Sequence, residues 1–230
     1  MPMRRMFFLV NAVIAWASFA LDAVITIGDL YPSVGRVSGE IDYHQAEGFM
    51  GTIGRTIDFL SFFTTWSLLA VAIVMTVLAR DSDADSPLLR VGRLTALLMT
   101  TVTMIVQQVL LSDGSYVGIP GFNDMLEHII VPIVTVVVWL FFGPRGWIHW
   151  RIIPMAVIVP IIWIVYTFLR GAVISAYPYD FLNVLVHGYP SALLMTLGIV
   201  VFGLVIAVVY YGIDDVIMRV TRRGDVRSAA

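Results

Sequence analysis

The sequence predicts an all-α polytopic membrane protein: one domain over residues 1–230, a bundle of six transmembrane helices with both termini cytoplasmic. Three observations predict it. Hydrophobic residues make up 59% of the chain and charged residues 13%, with a mean hydropathy of +0.90. Soluble chains run near 25% charged, and a soluble fold of this size cannot hide so much apolar surface, whereas a bilayer dissolves it. Six apolar stretches approach the ~20 residues that cross about 30 Å of hydrocarbon as a helix. Finally, the arginines are distributed very unevenly between alternate loops. This composition excludes a water-soluble enzyme and a disordered chain as the starting expectation. A net charge of −2 leaves no basic footprint for nucleic acid. Cysteine is absent, so no disulfide, thiolate nucleophile or Cys-type zinc site can form. All fourteen cations are arginine, a bias that reads as GC-rich codon usage.

The first span runs from about Met6 to Gly28 behind Arg4 and Arg5. Ala15-Trp16-Ala17 has the look of a cleavage site, but apolar sequence continues to Ile27, so a retained helix is expected, carrying Asp22. The second span, about Thr56 to Ala79, places Asp58, Ser61 and Thr65 on one helical stripe, with Thr64 bordering it and Ser67 farther round. The third, about Leu94 to Leu111, holds Gln107 and Gln108. The fourth, about Asn123 to Phe142, opens with Asp124, Glu127 and His128; Asp124 and His128 are four apart and share a face. The fifth runs from about Ile152 to Ile174, with Arg170 near one end, and the sixth from about Ser191 to Tyr211. Between them, Phe181, Leu182, Val184 and Leu185 make the 175–190 loop too apolar for free solvation and predict a short interfacial helix capping the bundle.

Arg4, Arg5, Arg80, Arg90, Arg93, Arg145, Arg151, Arg219, Arg222, Arg223 and Arg227 fall on one side, against Arg36, Arg55 and Arg170 on the other. Eleven against three places the first side in the cytoplasm. Trp147 and Trp150 are then expected at the inner interface, and Tyr177, Tyr179 and Tyr189 at the outer one. Ionisable groups within a span are costly unless paired and mark function by default. Asp22, Asp58, Glu127, His128 and Arg170 all fall towards the outer ends of their helices and converge there. His128 has three readings: a hydrogen-bonded structural residue, a metal ligand or a general base. The other histidines are His44 and His187 in outer loops and His149 on the inner side. His128, His187 and a carboxylate have the donor types of a zinc site, but no HExxH spacing supports one, so neither metal nor cofactor is expected.

Three segments carry a family resemblance. They are Leu60-Ser61-Phe62-Phe63-Thr64-Thr65-Trp66-Ser67; Glu127-His128-Ile129-Ile130-Val131-Pro132 with Trp139-Leu140-Phe141-Phe142; and Tyr177-Pro178-Tyr179-Asp180-Phe181-Leu182 with His187-Gly188-Tyr189. Their order and spacing resemble the bacterial six-span "Pr-six-Pr" membrane proteins, and more distantly the eukaryotic androgen-induced gene family. The latter are intramembrane hydrolases of fatty acid esters of hydroxy fatty acids, with a threonine nucleophile and a histidine. The resemblance implies that His128 is that histidine. The eukaryotic Phe-Leu-Thr-Phe pattern falls on Phe59-Leu60-Ser61-Phe62 and selects Ser61; the bacterial Phe-Thr-x-x-Ser-Asn pattern selects Thr64 and Ser67, with Leu68 standing where the Asn would be.

Two functions follow as expectations. The first is an integral-membrane hydrolase of lipid esters. His128 would deprotonate a Ser/Thr hydroxyl, with Ser61 preferred narrowly over Thr64 and Thr65. Asp124 would orient the base, Glu127 being the alternative, and Asp58, Arg170 and His187 would support the site. Gln107, Gln108 and Arg170 are the candidate oxyanion donors. The second is a non-catalytic protein that binds or transports a lipid or small amphiphile. In both the partner is a membrane lipid or fatty ester and not nucleic acid.

Overall fold

The computed structural model describes residues 3–31, 38–41, 48–111 and 117–228, with side chains through 221. Arg36 and His44, and the side chains of Arg222, Arg223 and Arg227, lie outside the described residues. Of the described residues 84% are helical, and none lies in a strand. In order the helices are α1 (Met3–Ile27), α2 (Gly48–Phe59), α3 (Phe63–Arg80), α4 (Pro87–Leu110), α5 (Gly118–Met125), α6 (Val131–Phe142), α7 (Ile153–Ala156), α8 (Ile158–Ile174) and α9 (Val184–Ser228). A π-helical turn, Leu126–Ile130, joins α5 to α6, and single 3-10 turns precede α7 and α9. Among the described residues, six stretches are long and apolar enough to cross a membrane: Met3–Ile27, Phe63–Arg80, Pro87–Leu110, Gly118–Phe142, Trp150–Ile174 and Val184–Thr221.

Most spans are longer than their apolar windows, because capped helices run on into polar flanks. α4 starts at Pro87, whose missing N–H suits a first helical turn, behind Ser86, whose hydroxyl accepts from the Leu89 amide at 3.1 Å. α9 continues past Tyr211 through Asp214, Asp215 and Arg219. Near its start it is interrupted at Gly188, whose φ of 73° only glycine adopts cheaply, followed by Pro190.

The second span departs from expectation. It begins at Phe63, and the chain breaks at Leu60–Phe62 instead of running through from Thr56. The stripe of Asp58, Ser61 and Thr65 therefore does not exist as one helical face; Asp58 belongs to α2.

The core is three-sided. α1 buries Phe8, Ala12, Ala15 and Ser18 at helical spacing against α3. Small side chains there let the two backbones approach, the usual way that membrane helices pack without a hydrophobic drive. α3 packs on α4, and α4 in turn on α6, α7 and α9, around Leu94, Leu97, Trp139 and Tyr210. Trp147 is buried in the cluster between α1 and α3, with the Arg90 and Arg93 guanidinium groups over its ring, whereas Trp150 is 67% exposed. Tyr177 is likewise buried. Its amide donates to the Gly39 carbonyl and its carbonyl accepts from Ile41, which ties residues 38–41 to the 175–190 loop.

Candidate functional site

A helix broken inside an apolar bundle exposes carbonyls and amides that lipid cannot satisfy. Here side chains meet the carbonyls of the α2 end. Ser61 Oγ donates to the Ile57 carbonyl at 2.7 Å, and Thr65 Oγ1 to the Phe59 carbonyl at 2.7 Å. Trp66 Nε1 donates to the Leu60 carbonyl at 2.8 Å, and Trp163 Nε1 to the Ser61 carbonyl at 3.0 Å. Ser61 Oγ also lies 2.8 Å from the Tyr166 hydroxyl. Two of the three candidate hydroxyls thus hold the break closed.

Thr64 is different. Among the described residues its Oγ1 bonds to no backbone carbonyl; it lies 3.3 Å from His128 Nε2 and 3.5 Å from the Tyr179 hydroxyl. The expectation that Ser61 meets the imidazole is corrected by this geometry, because the break turns Ser61 towards α8 and its own helix.

His128 reaches Thr64 from the π-helical turn. Pro132 has no N–H, and its ring would press on the His128 carbonyl four residues back. The backbone widens there, and the Val131 amide bonds to the Leu126 carbonyl five residues back. His128 Nδ1 faces two acceptors on the preceding turn, Asp124 Oδ1 at 2.9 Å and the Asp124 carbonyl at 3.2 Å. An imidazole nitrogen between two acceptors carries the proton. In the neutral ring Nε2 is therefore the lone-pair nitrogen, and the Thr64 hydroxyl donates to it. Thr64 and His128 are both buried.

Tyr179 completes the group. The phenol oxygen accepts from the Phe63 amide at 3.0 Å and is also within reach of the Thr64 amide, both unsatisfied donors at the N-terminus of α3. With those lone pairs engaged, the O–H is left to donate. Burial of the hydroxyl pushes its pKa up to about 12, which keeps it a proton donor throughout the physiological range. In the sequence Tyr179 looked like an interface anchor; the Tyr-Pro-Tyr element was the only signal that set it apart.

Of the remaining candidates, Asp58 and Arg170 form a buried ion pair with each other. His187 pairs with Asp180 at 3.1 Å. Gln107 Nε2 donates to Asp124 Oδ1 at 3.4 Å, which gives it a part in orienting that carboxylate. Glu127 is buried, accepts from Asn123 Nδ2 at 3.3 Å, and lies 3.8 Å from His128 Nδ1. Asp124, Glu127 and His128 each offer one ligand atom within 4.8 Å of the others, so among the described residues they, without His187, form a group that could hold a metal.

Thr64, His128 and Tyr179 are among the residues lining a cavity of about 860 Å3, counting the open space at its mouth. Beyond them the walls are almost wholly apolar, from α3, α4, α8 and α9. The cavity touches α4 from Leu98 to Leu111, a length of about 20 Å at 1.5 Å per residue. No family model, curated protein or solved structure matches this chain.

Proposed function

We propose that the chain is an integral-membrane hydrolase of lipid esters, of the kind that the more distant resemblance to the eukaryotic androgen-induced gene family suggests, with Thr64 as nucleophile. The supporting observation is selective. Of three clustered hydroxyls, Thr64 is the one not spent on a backbone carbonyl, and it faces an imidazole whose other nitrogen is held by Asp124. That is the nucleophile–base–orienter relation of a hydrolytic triad.

His128 Nε2 takes the Thr64 proton as Oγ1 attacks the ester carbonyl. The Tyr179 hydroxyl donates to the carbonyl oxygen as it becomes an oxyanion. Collapse expels the alkoxide, which leaves as the alcohol with the proton from His128. Water, activated by the same imidazole, then releases the fatty acid from the acyl-threonine. The apolar cavity takes the acyl chain. Purified protein in nanodiscs, offered long-chain fatty esters and fatty acid esters of hydroxy fatty acids, is expected to release fatty acid; no release from any of them overturns the assignment. The same cavity favours non-catalytic lipid binding as the second reading, and co-purified ester recovered intact after long incubation would point there.

Tyr179→Phe is expected to lower kcat by about 10²-fold with little change in KM, since an oxyanion donor acts on the transition state. An equal rise in KM with kcat unchanged would make Tyr179 a binding residue instead.

The arginine asymmetry supports both termini being cytoplasmic, in a bacterial plasma membrane, with the Thr64–His128 end near the outer leaflet. The chain has no cysteine, so single cysteines report topology without background. One at Ala84 is expected to react with an impermeant maleimide only from the cytoplasmic side, and one at Val117 only from outside. Reversed labelling overturns the orientation.

A further inference from the structure

We propose that Asp124, Glu127 and His128 form a binding site for a divalent cation of the zinc class, and that the cation holds the site in an inactive state. His128 Nδ1 lies 2.9 Å from Asp124 Oδ1 and 3.8 Å from Glu127 Oε1. Two ligands of a tetrahedral zinc are about 3.4 Å apart, given bonds of about 2.0–2.1 Å. The two observed separations bracket that edge, and the three ligand atoms all lie within 4.8 Å of one another, so side-chain rearrangement without backbone movement could close the site.

Two further features point to a cation. Asn123 is fully buried and its Oδ1 has no hydrogen-bond partner among the described residues. Its carboxamide lies against Glu127, with Nδ2 3.3 Å from Oε2. As placed, Nδ2 donates to that carboxyl group; half a turn of the amide would instead offer the orphan oxygen to a cation held by Glu127. Charge is the second feature. Asp22 is itself buried, on α1, which packs against the π-helical turn. Among the described residues no arginine pairs with Asp22, Asp124 or Glu127, so three carboxyl groups have one imidazole as their basic neighbour. One imidazole with carboxylate and amide oxygens suits zinc better than magnesium, which prefers oxygen alone.

The cation and the proposed chemistry compete for one nitrogen. A metal on Nδ1 needs the lone pair there, so in the neutral ring the proton moves to Nε2. That nitrogen then donates to Thr64 Oγ1 and cannot accept its proton. This inhibitory consequence rests on the hydrolase reading; the site itself does not.

Chelator-stripped protein in nanodiscs, titrated with zinc sulfate against a chromophoric competitor, is expected to bind one zinc per chain, with no competition from equimolar magnesium. Glu127→Gln should weaken binding by about tenfold or more, at least the loss seen when an outer-shell partner is removed. X-ray absorption of the zinc-loaded wild type should show one imidazole and otherwise oxygen ligands, a readout that needs no variant to fold. No saturable binding, unchanged affinity in Glu127→Gln, or a spectrum without imidazole overturns the site. Turnover that is unaffected by stoichiometric bound zinc overturns the inactive state. Stripped protein with no turnover at all removes the hydrolase reading, while the titration and the spectrum still decide the site.

Discussion

Replacing Thr64 by alanine is expected to lower ester turnover by about 10³-fold or more, because among the described residues the neighbouring Ser61 and Thr65 hydroxyls are engaged by backbone carbonyls. The bundle should stay folded. Thr64 Oγ1 closes no backbone carbonyl, so its loss removes hydrogen bonding worth about 1 kcal/mol. Thr64→Ser keeps the oxygen and should keep much of the activity. Ser61→Ala is the contrasting case: it orphans the Ile57 carbonyl and costs about 1–3 kcal/mol of stability, with kcat within a few-fold of wild type. Turnover and thermal melting in detergent separate the two. A dead Ser61→Ala beside an active Thr64→Ala would reverse the assignment.

His128→Ala is expected to lower kcat by about 10²–10⁴-fold, the usual contribution of a positioned general base. His149→Ala, at the far end of the bundle, should change little. If the two variants lose activity equally, hydrolysis is not centred on the π-helical turn.

The six-span fold was legible because burial in lipid leaves a signal that needs no partner: continuous apolar runs and one-sided arginines. The helix break at Leu60–Phe62 was not. No glycine or proline marks it, and its orphan carbonyls are satisfied partly by Trp163, a hundred residues away in sequence. Periodicity assumed an unbroken helix and so put Ser61 and Thr65 on a face that does not form. The pairing of Asp124 with His128 was readable from their spacing of four, which the structure keeps. The π-helical turn beneath them follows from Pro132, but only once the chain is known to remain helical on both sides. Tyr179 was hidden for a different reason: a tyrosine beside a membrane span ordinarily anchors the interface, and only the end of α3 gives its hydroxyl other work.

The central claim is that Thr64 is a nucleophile activated by His128. A fluorophosphonate carrying a long alkyl chain, applied to the purified protein and mapped by peptide mass spectrometry, tests it most directly. The predicted result is one adduct, on Thr64, that is lost in His128→Ala. An adduct on Ser61 or Thr65, or labelling of Thr64 that persists without His128, would contradict it.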